Sequence, residues 1–174
     1  MRRAIIHHAA GSWPSREATA TVTLPFDERH RRRLRLTDDA GQPFMLDLER
    51  AVLLAEGDGL ALEGGGFVAV KAAEEAVLDI RCTGAGHAAR VAWHIGNRHT
   101  PLQVLTGGRL RILADHVLKD MVEGLGAVVM ETRAPFQPEP GAYADPSGHG
   151  HDHGHDHGHE HGHRHGHGHG GTAA

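Results

Sequence analysis

The sequence predicts an α+β protein with a small all-β N-terminal domain, a ferredoxin-like βαββαβ domain and a disordered, histidine-rich tail. Three observations predict this organisation. Residues 1–73 contain short apolar and β-branched segments separated by turn residues. Strand-like and helix-like patterns alternate over residues 74–143. Residues 144–174 have a low-complexity composition that cannot form a packed core.

The N-terminal domain is predicted from six short segments with strand-like composition. Turns rich in glycine and aspartate separate them, and no segment shows a long helical period. The segments cover residues 5–6, 18–24, 33–36, 44–48, 60–62 and 67–70. We therefore expect a domain of six or more strands.

Residues 29–35 form the only basic cluster of the chain. The cluster is either a patch for an acidic partner or the solvated face of a strand that turns Leu34 and Leu36 inward. Acidic residues flank the cluster on both sides and weaken its field, which favours the solvated strand.

The second domain is predicted from an alternation of strand and helix patterns that begins at Glu74. In chain order, the segments are a strand at 76–82, a helix from Gly84 to about Ile95, strands at 101–105 and 109–113, a helix after Asp115 and a strand at 128–131. This order is that of the ferredoxin-like fold. Two helices cover one face of such a sheet, so the other face suits an oligomer interface.

Local signals mark the ends of these elements. Gly96-Asn97 predicts a left-handed C-cap for the first helix, and Gly107-Gly108 predicts a hairpin turn. Asp115 is the expected N-cap of the second helix. The proline-rich residues 135–141 are expected to continue neither strand nor helix and to mark the edge of the domain.

Charge and composition exclude several classes of function. Lysine and arginine number 10 against 11 aspartates and glutamates in residues 1–74, 7 against 7 in 75–143, and 1 against 4 in 144–174. We therefore expect no nucleic-acid binding. The sequence has no signal-peptide pattern and no apolar run long enough to span a membrane. With Cys82 as its one cysteine it forms no internal disulfide, which predicts a cytoplasmic protein.

The composition of the tail predicts metal binding. A histidine occupies every odd position from 149 to 169, and glycine, acidic residues or Arg164 lie between. The candidate ligands are His149, His151, His153, His155, His157, His159, His161, His163, His165, His167 and His169. If each ion takes about 2–4 imidazoles, these side chains hold on the order of three to five ions.

Three stretches of the second domain together resemble a known family. They are residues 92–103, which contain Gly96-Asn97-Arg98-His99, then residues 115–118, and then residues 135–143. In this order they are similar to the urease accessory protein UreE family, the nickel metallochaperones of urease maturation. The β-rich first half and the histidine-rich tail fit the same family.

The resemblance implies a homodimer formed through the ferredoxin-like domains, in which the two copies of His99 bind one Ni(II) ion between them. It implies a peripheral metal ligand at His116, although Ala114 stands where members with this site have a second histidine. It also implies a peptide-binding-like N-terminal domain. The partners it implies are the urease accessory GTPase and the urease apoprotein activation complex.

Imidazole ligands do not select nickel by themselves, so Zn(II) or Cu(II) can occupy the same sites. Two His99 side chains leave the coordination shell incomplete, and tail histidines or water must complete it. His94 lies on the predicted helix beside Trp93. It is interpreted either as a structural residue or as a neighbour of the metal site.

The sequence also allows two other functions. His94, His99 and His116 together are a possible zinc site of a hydrolase, but no His-Glu-x-x-His pair or suitably spaced carboxylate supplies a general base. The other alternative is a metal-buffering or storage protein without a delivery partner. We expect a nickel carrier that is not an enzyme.

Overall fold

The structure is a computed structural model that describes residues 1–140. This part of the chain contains ten strands, two α-helices and two 3-10 helices. The strands and α-helices are β1 (Arg2–His8), β2 (Ala18–Leu24), β3 (His30–Thr37), β4 (Pro43–Leu53), β5 (Gly59–Leu62), β6 (Phe67–Ala72), β7 (Glu74–Arg81), α1 (Ala85–Gly96), β8 (Gln103–Leu105), β9 (Arg109–Leu113), α2 (His116–Gly124) and β10 (Val128–Pro135). Neither α-helix is long and apolar enough to cross a membrane. The tail predicted to be disordered, with its eleven histidines, lies outside the described residues.

The first six strands form one sheet in the order β2-β6-β5-β1-β4-β3. β1 pairs with β4 and β2 with β6 in parallel, and the other neighbours are antiparallel. Phe44, Leu46 and Leu48 of β4 are buried because a strand turns alternate side chains to opposite faces. All six predicted strands are confirmed, and their buried side chains form a single core.

The basic cluster contains one residue that the sequence did not distinguish from the others. Most of the cluster lies on β3, where Leu36 is buried and Leu34 is half-buried, as expected for a solvated amphipathic strand. Arg29 precedes this strand and is only 1% exposed. Its guanidinium donates a hydrogen bond to the carbonyl of Leu54 at 3.3 Å and another to the carbonyl of Phe136. Arg29 is therefore a structural residue of the interior.

The last four strands form a second sheet in the order β10-β7-β9-β8, with all neighbours antiparallel. Together with α1 and α2 they make the ferredoxin-like βαββαβ arrangement that the sequence predicted. Val91, Ile95 and Val122 of the helices pack with Leu78 and Ile112 of the sheet. The expected domain boundary after residue 73 lies between β6 of the first sheet and β7 of the second.

Two of the predicted end signals are confirmed. The side chain of Asp115 accepts a hydrogen bond from the backbone N–H of Leu118 at 2.8 Å, so Asp115 is the N-cap of α2. Gly107 and Gly108 have φ values of 80° and 73° between β8 and β9, which are the positive angles that a tight hairpin requires.

The prediction for the end of the last strand is wrong. It ended the strand at residue 131 and excluded Pro135, whereas β10 continues to Pro135 and pairs with β7 along its whole length. Pro135 is tolerated because it is the last residue of a strand at the edge of the sheet. The sequence of this segment is polar and lacks a clear alternation, so the pairing with β7 determines its conformation.

The face of the second sheet opposite the helices has exposed apolar side chains. Val128 is 66% exposed and Met130 is 54% exposed. Beside them, Arg111 donates two hydrogen bonds to the carboxylate of Asp79, at 2.6 and 3.0 Å, and this pairing raises the pKa of Arg111. Within the described chain this face is partly apolar and partly charged.

On the first sheet, Asp47 is held between two arginines. Its carboxylate accepts hydrogen bonds from Arg3 at 2.5 Å and from Arg33 at 2.8 Å, and its side chain is 12% exposed. These two partners, Arg33 first, lower the pKa of Asp47 from the ordinary 3.8 to about 2. The ion pairs join β1, β3 and β4 across the sheet.

We predict that Asp47→Asn destabilises the protein at neutral pH and has little effect near pH 2. Because the pKa of Asp47 is lower in the folded state, its contribution is complete above about pH 4 and is lost as the pH falls to about 2. Denaturant unfolding of the wild type and of Asp47→Asn, from neutral pH down to about pH 2, tests the prediction. Glu49→Gln, on an exposed residue of the same strand, is the matched control. An unfolding difference between wild type and Asp47→Asn that does not change with pH would contradict it.

Candidate metal centre

The Gly96-Asn97-Arg98-His99 motif ends α1 in a way that the sequence did not predict. Gly96 is the last helical residue, and Asn97 has right-handed angles, φ −63° and ψ −14°. His99 has a φ of 55° and is the one non-glycine residue with a positive φ in the described chain. The expected left-handed conformation therefore belongs to His99 and not to Gly96 or Asn97. Histidine is one of the few residue types enriched in this region.

Backbone hydrogen bonds hold His99 at the end of the helix. The N–H of Arg98 donates to the carbonyl of Ile95 at 3.0 Å, and the N–H of His99 donates to the carbonyl of Gly96 at 2.9 Å. The residue itself is exposed, and Thr100-Pro101 follows. The imidazole is thus attached to a defined backbone and remains accessible.

The other two predicted ligands of the folded chain lie on different helices. His94 is half-buried on α1, and its ring meets that of Trp93 edge-on with 4.9 Å between the centroids. The carbonyl of His94 accepts a hydrogen bond from the guanidinium of Arg98 at 2.9 Å. His116 is exposed and is the first residue of α2, directly after the N-cap.

The structure does not bring these three histidines together into one site. Within residues 1–140 of a single chain, no three histidine, cysteine, aspartate or glutamate side chains are grouped closely enough to hold a metal ion. A zinc hydrolase built from His94, His99 and His116 of one chain therefore lacks its ligand set. The tail histidines lie outside the described residues.

Two histidines have structural roles that the sequence did not reveal. Nε2 of His7 lies 2.7 Å from the carboxylate of Asp58, which also accepts hydrogen bonds from the N–H groups of Ala10 and Ala55. The buried Asp58 thereby connects β1 with the turn before β5. The two residues are 51 positions apart, so no local sequence pattern could have paired them.

His87 connects the two helices. Its Nδ1 accepts a hydrogen bond from the N–H of Thr83 at 3.2 Å, so Nε2 carries the proton and donates to the carbonyl of Leu125 at 3.1 Å. With both ring nitrogens engaged in this way, His87 has a structural role and is not a candidate ligand. Its hydrogen bonds connect the first turn of α1 with the end of α2.

Comparison with known proteins gives similarity along the described chain and into the tail. Residues 3–73 match the family described as UreE urease accessory protein, N-terminal domain, and residues 75–170 match its C-terminal domain. A urease accessory protein UreE from Rhodopseudomonas palustris is 51% identical over 138 residues, which are 79% of this chain and 65% of that protein. One from a Bradyrhizobium species is 53% identical over 136 residues, 78% of this chain and 66% of the relative.

The matched lengths differ among the relatives. This chain spans slightly less than two thirds of the proteins from Rhodopseudomonas palustris and Bradyrhizobium. A urease accessory protein UreE from Agrobacterium fabrum is 44% identical over 152 residues, which are 87% of this chain and 93% of that protein.

The positive φ of His99 makes a prediction about stability. We expect His99→Gly to unfold with a free energy about 1 kcal/mol higher than His99→Ala, because only glycine adopts this backbone conformation without a steric penalty. Both variants remove the imidazole, so the comparison isolates the backbone. Denaturant unfolding of the two variants measures the difference. Equal stabilities would show that His99 is not held in the left-handed region.

Proposed function

Since the chain belongs to the family of urease accessory protein UreE, we propose that it is a nickel metallochaperone that binds Ni(II) and delivers it for assembly of the urease active site. The observation that supports this most directly is the match to both domains of the family, in chain order, over residues 3–73 and 75–170. In this proposal nickel is the cargo, and the protein itself catalyses no reaction.

His99 is the proposed principal ligand. Its ring is exposed on a backbone turn that the end of α1 defines, so it is accessible to an ion and to a second copy of the chain. One imidazole is too few for a metal site, but a twofold axis supplies a second one from the partner. Water or further histidines then complete the shell. Such exchangeable ligands allow the ion to leave.

Two features of α1 support a homodimer near this residue. Trp93 is 62% exposed, so a large apolar surface is available there for a partner to bury. Gly96 is the last residue of α1. A Cβ at Gly96 would meet no atom within 4 Å, so packing within the described chain does not require a glycine there. Close approach of a second chain accounts for both features.

His116, His94 and the tail are proposed as secondary ligands. His116 is exposed at the start of α2, and Ala114 leaves it without the neighbouring histidine that would make a two-ligand site. His94 is half-buried against Trp93, so it is less accessible to a metal ion than His99 is. The eleven tail histidines collect ions at higher stoichiometry. Zn(II) and Cu(II) compete at all these positions because imidazole binds each of them.

The proposed partners are the urease accessory GTPase and the urease apoprotein activation complex, in the cytoplasm. The balance of 10 basic against 11 acidic side chains in residues 1–74 lacks the basic excess of a nucleic-acid binder. The proposed carrier differs from a metal buffer in that it delivers the ion to a partner protein. A buffer needs metal-binding capacity but no partner. The two roles depend on different histidines, and mutation therefore separates them.

We predict that His99→Ala removes one tightly bound nickel ion per two chains and reduces urease activation, because the shared site loses both of its principal ligands. Calorimetric titration with nickel and urease activity in cells that express the variant measure the two effects, and light scattering records the oligomeric state of the variant. His30→Ala, an exposed histidine of β3, is the matched control and should change none of them.

Deletion of residues 149–174 distinguishes carrier from buffer. The carrier proposal expects the deleted protein to activate urease in part through His99. Complete loss of activation after the deletion, together with full activation by the His99→Ala protein, would contradict the carrier proposal and favour the metal buffer.

The tail makes a separate prediction about pH. A ligating imidazole must be neutral, and the pKa of a free histidine is about 6.5. Nickel capacity should therefore fall steeply below about pH 6 as the tail histidines take up protons. Titrations at about pH 7.5 and about pH 5.5 test this, and equal stoichiometry at the two values would contradict it.

A further inference from the structure

Residues 136–139, which we call the strap, leave the end of β10 and contact both halves of the described chain. Their sequence, Phe136-Gln137-Pro138-Glu139, is part of the proline-rich segment that was expected only to mark a domain edge. In the structure every non-proline residue of the strap makes a hydrogen bond to a residue far away in sequence. The strap is therefore a connection between elements.

The first half of the strap is fixed to the N-terminal domain. Phe136 is fully buried, its carbonyl accepts a hydrogen bond from Arg29, and its ring meets Phe26 edge-on with 5.2 Å between the centroids. The side-chain oxygen of Gln137 accepts a hydrogen bond from the N–H of Glu56 at 2.9 Å. These contacts hold the strap at its start.

Through Gln137 and Glu139, the strap is also fixed to the chain that follows His99. The N–H of Gln137 donates to the side-chain oxygen of Gln103 at 2.9 Å. The N–H of Glu139 donates to the carbonyl of Leu102 at 2.8 Å, and the carboxylate of Glu139 accepts from the N–H of Val104 at 3.1 Å. β8 is at the edge of its sheet, and these bonds satisfy backbone groups on that edge.

Residues 97–102, which we call the His99 loop, are thus held at both ends. At its start, carbonyl groups of α1 accept hydrogen bonds from the N–H groups of Arg98 and His99. At its end, the strap forms hydrogen bonds with Leu102 and with the two residues after it. An exposed ligand that shares an ion with its symmetry copy binds tightly only if its backbone is already in place, because ordering a loose loop costs free energy on binding.

We propose that the strap positions His99 for metal binding, with Glu139 and Gln103 as positioning residues that act through the loop. This inference rests on the proposed function, since it assumes that His99 binds nickel. Neither residue is a ligand in this proposal. Glu139 acts as a hydrogen-bond acceptor, and its charge is not required.

The test compares Glu139→Ala with Glu139→Gln in the full-length chain, with nickel affinity of the tightest class of sites measured by calorimetry. Because Glu139→Ala loses one hydrogen bond, its nickel affinity should be about threefold lower than that of the wild type. Glu139→Gln should bind as the wild type does, because its amide oxygen still accepts the N–H of Val104. Gln103→Met, which changes no charge, should weaken binding as Glu139→Ala does. Glu49→Ala, an exposed carboxylate of β4, is the control for charge loss.

The same measurements in a His99→Ala background complete the test. If the strap acts through His99, Glu139→Ala should have no further effect there. A Glu139→Gln protein as weak as Glu139→Ala would overturn the inference, because the carboxylate would then act through its charge or as a ligand. A full effect of Glu139→Ala in the His99→Ala background would also overturn it. If His99→Ala alone leaves nickel affinity unchanged, the proposed function fails, and this result is distinct from the other two.

Discussion

The burial of Arg29 is the constraint on which the arrangement of the two sheets depends. An arginine that is 1% exposed must find acceptors inside the protein, since an unpaired buried charge is strongly destabilising. Arg29 finds them in the carbonyls of Leu54 and Phe136, and its guanidinium lies 5.5 Å from the centre of the Phe26 ring. Its Nε has no hydrogen-bond partner among the described residues.

Burial lowers the pKa of Arg29, and the nearby carboxylates of Glu75 and Glu56 oppose that shift. Both residues also belong to the junction between the sheets, Glu75 through its carboxylate and Glu56 through its backbone. Glu75, at the start of β7, accepts a hydrogen bond from the N–H of Phe26, and the N–H of Glu56 donates to Gln137. A change at Arg29 would therefore disturb the contact of both sheets with the strap, and through the strap the loop that contains His99.

His99 combines two requirements in one residue. It ends α1 by adopting a left-handed backbone, and it presents an exposed imidazole for the proposed nickel site. A glycine would meet the first requirement at lower energetic cost but would supply no ligand. The strained conformation is consistent with a site in which function, and not stability, determines the residue. The histidines with structural roles, His7 and His87, are by contrast engaged in hydrogen bonds that reduce their capacity to bind metal.

Sequence alone determined the elements whose signals are local. The six N-terminal strands, the βαββαβ order, the turn at Gly107-Gly108 and the N-cap at Asp115 each follow from periodicity or from residue types within a few positions. The resemblance of the motif around His99 to the family also indicated the principal candidate ligand, which stays a prediction. Only the tertiary structure decided the extension of β10 to Pro135, the left-handed φ of His99 and the hydrogen bonds of the strap. For β10 and the strap, the physical reason is that their partners are far apart in sequence, as Arg29 and Phe136 are at 107 positions, and no local pattern encodes which distant backbone group will satisfy a buried charge. The left-handed φ of His99 was missed for a different reason, because glycine is the usual residue at this position of a helix end.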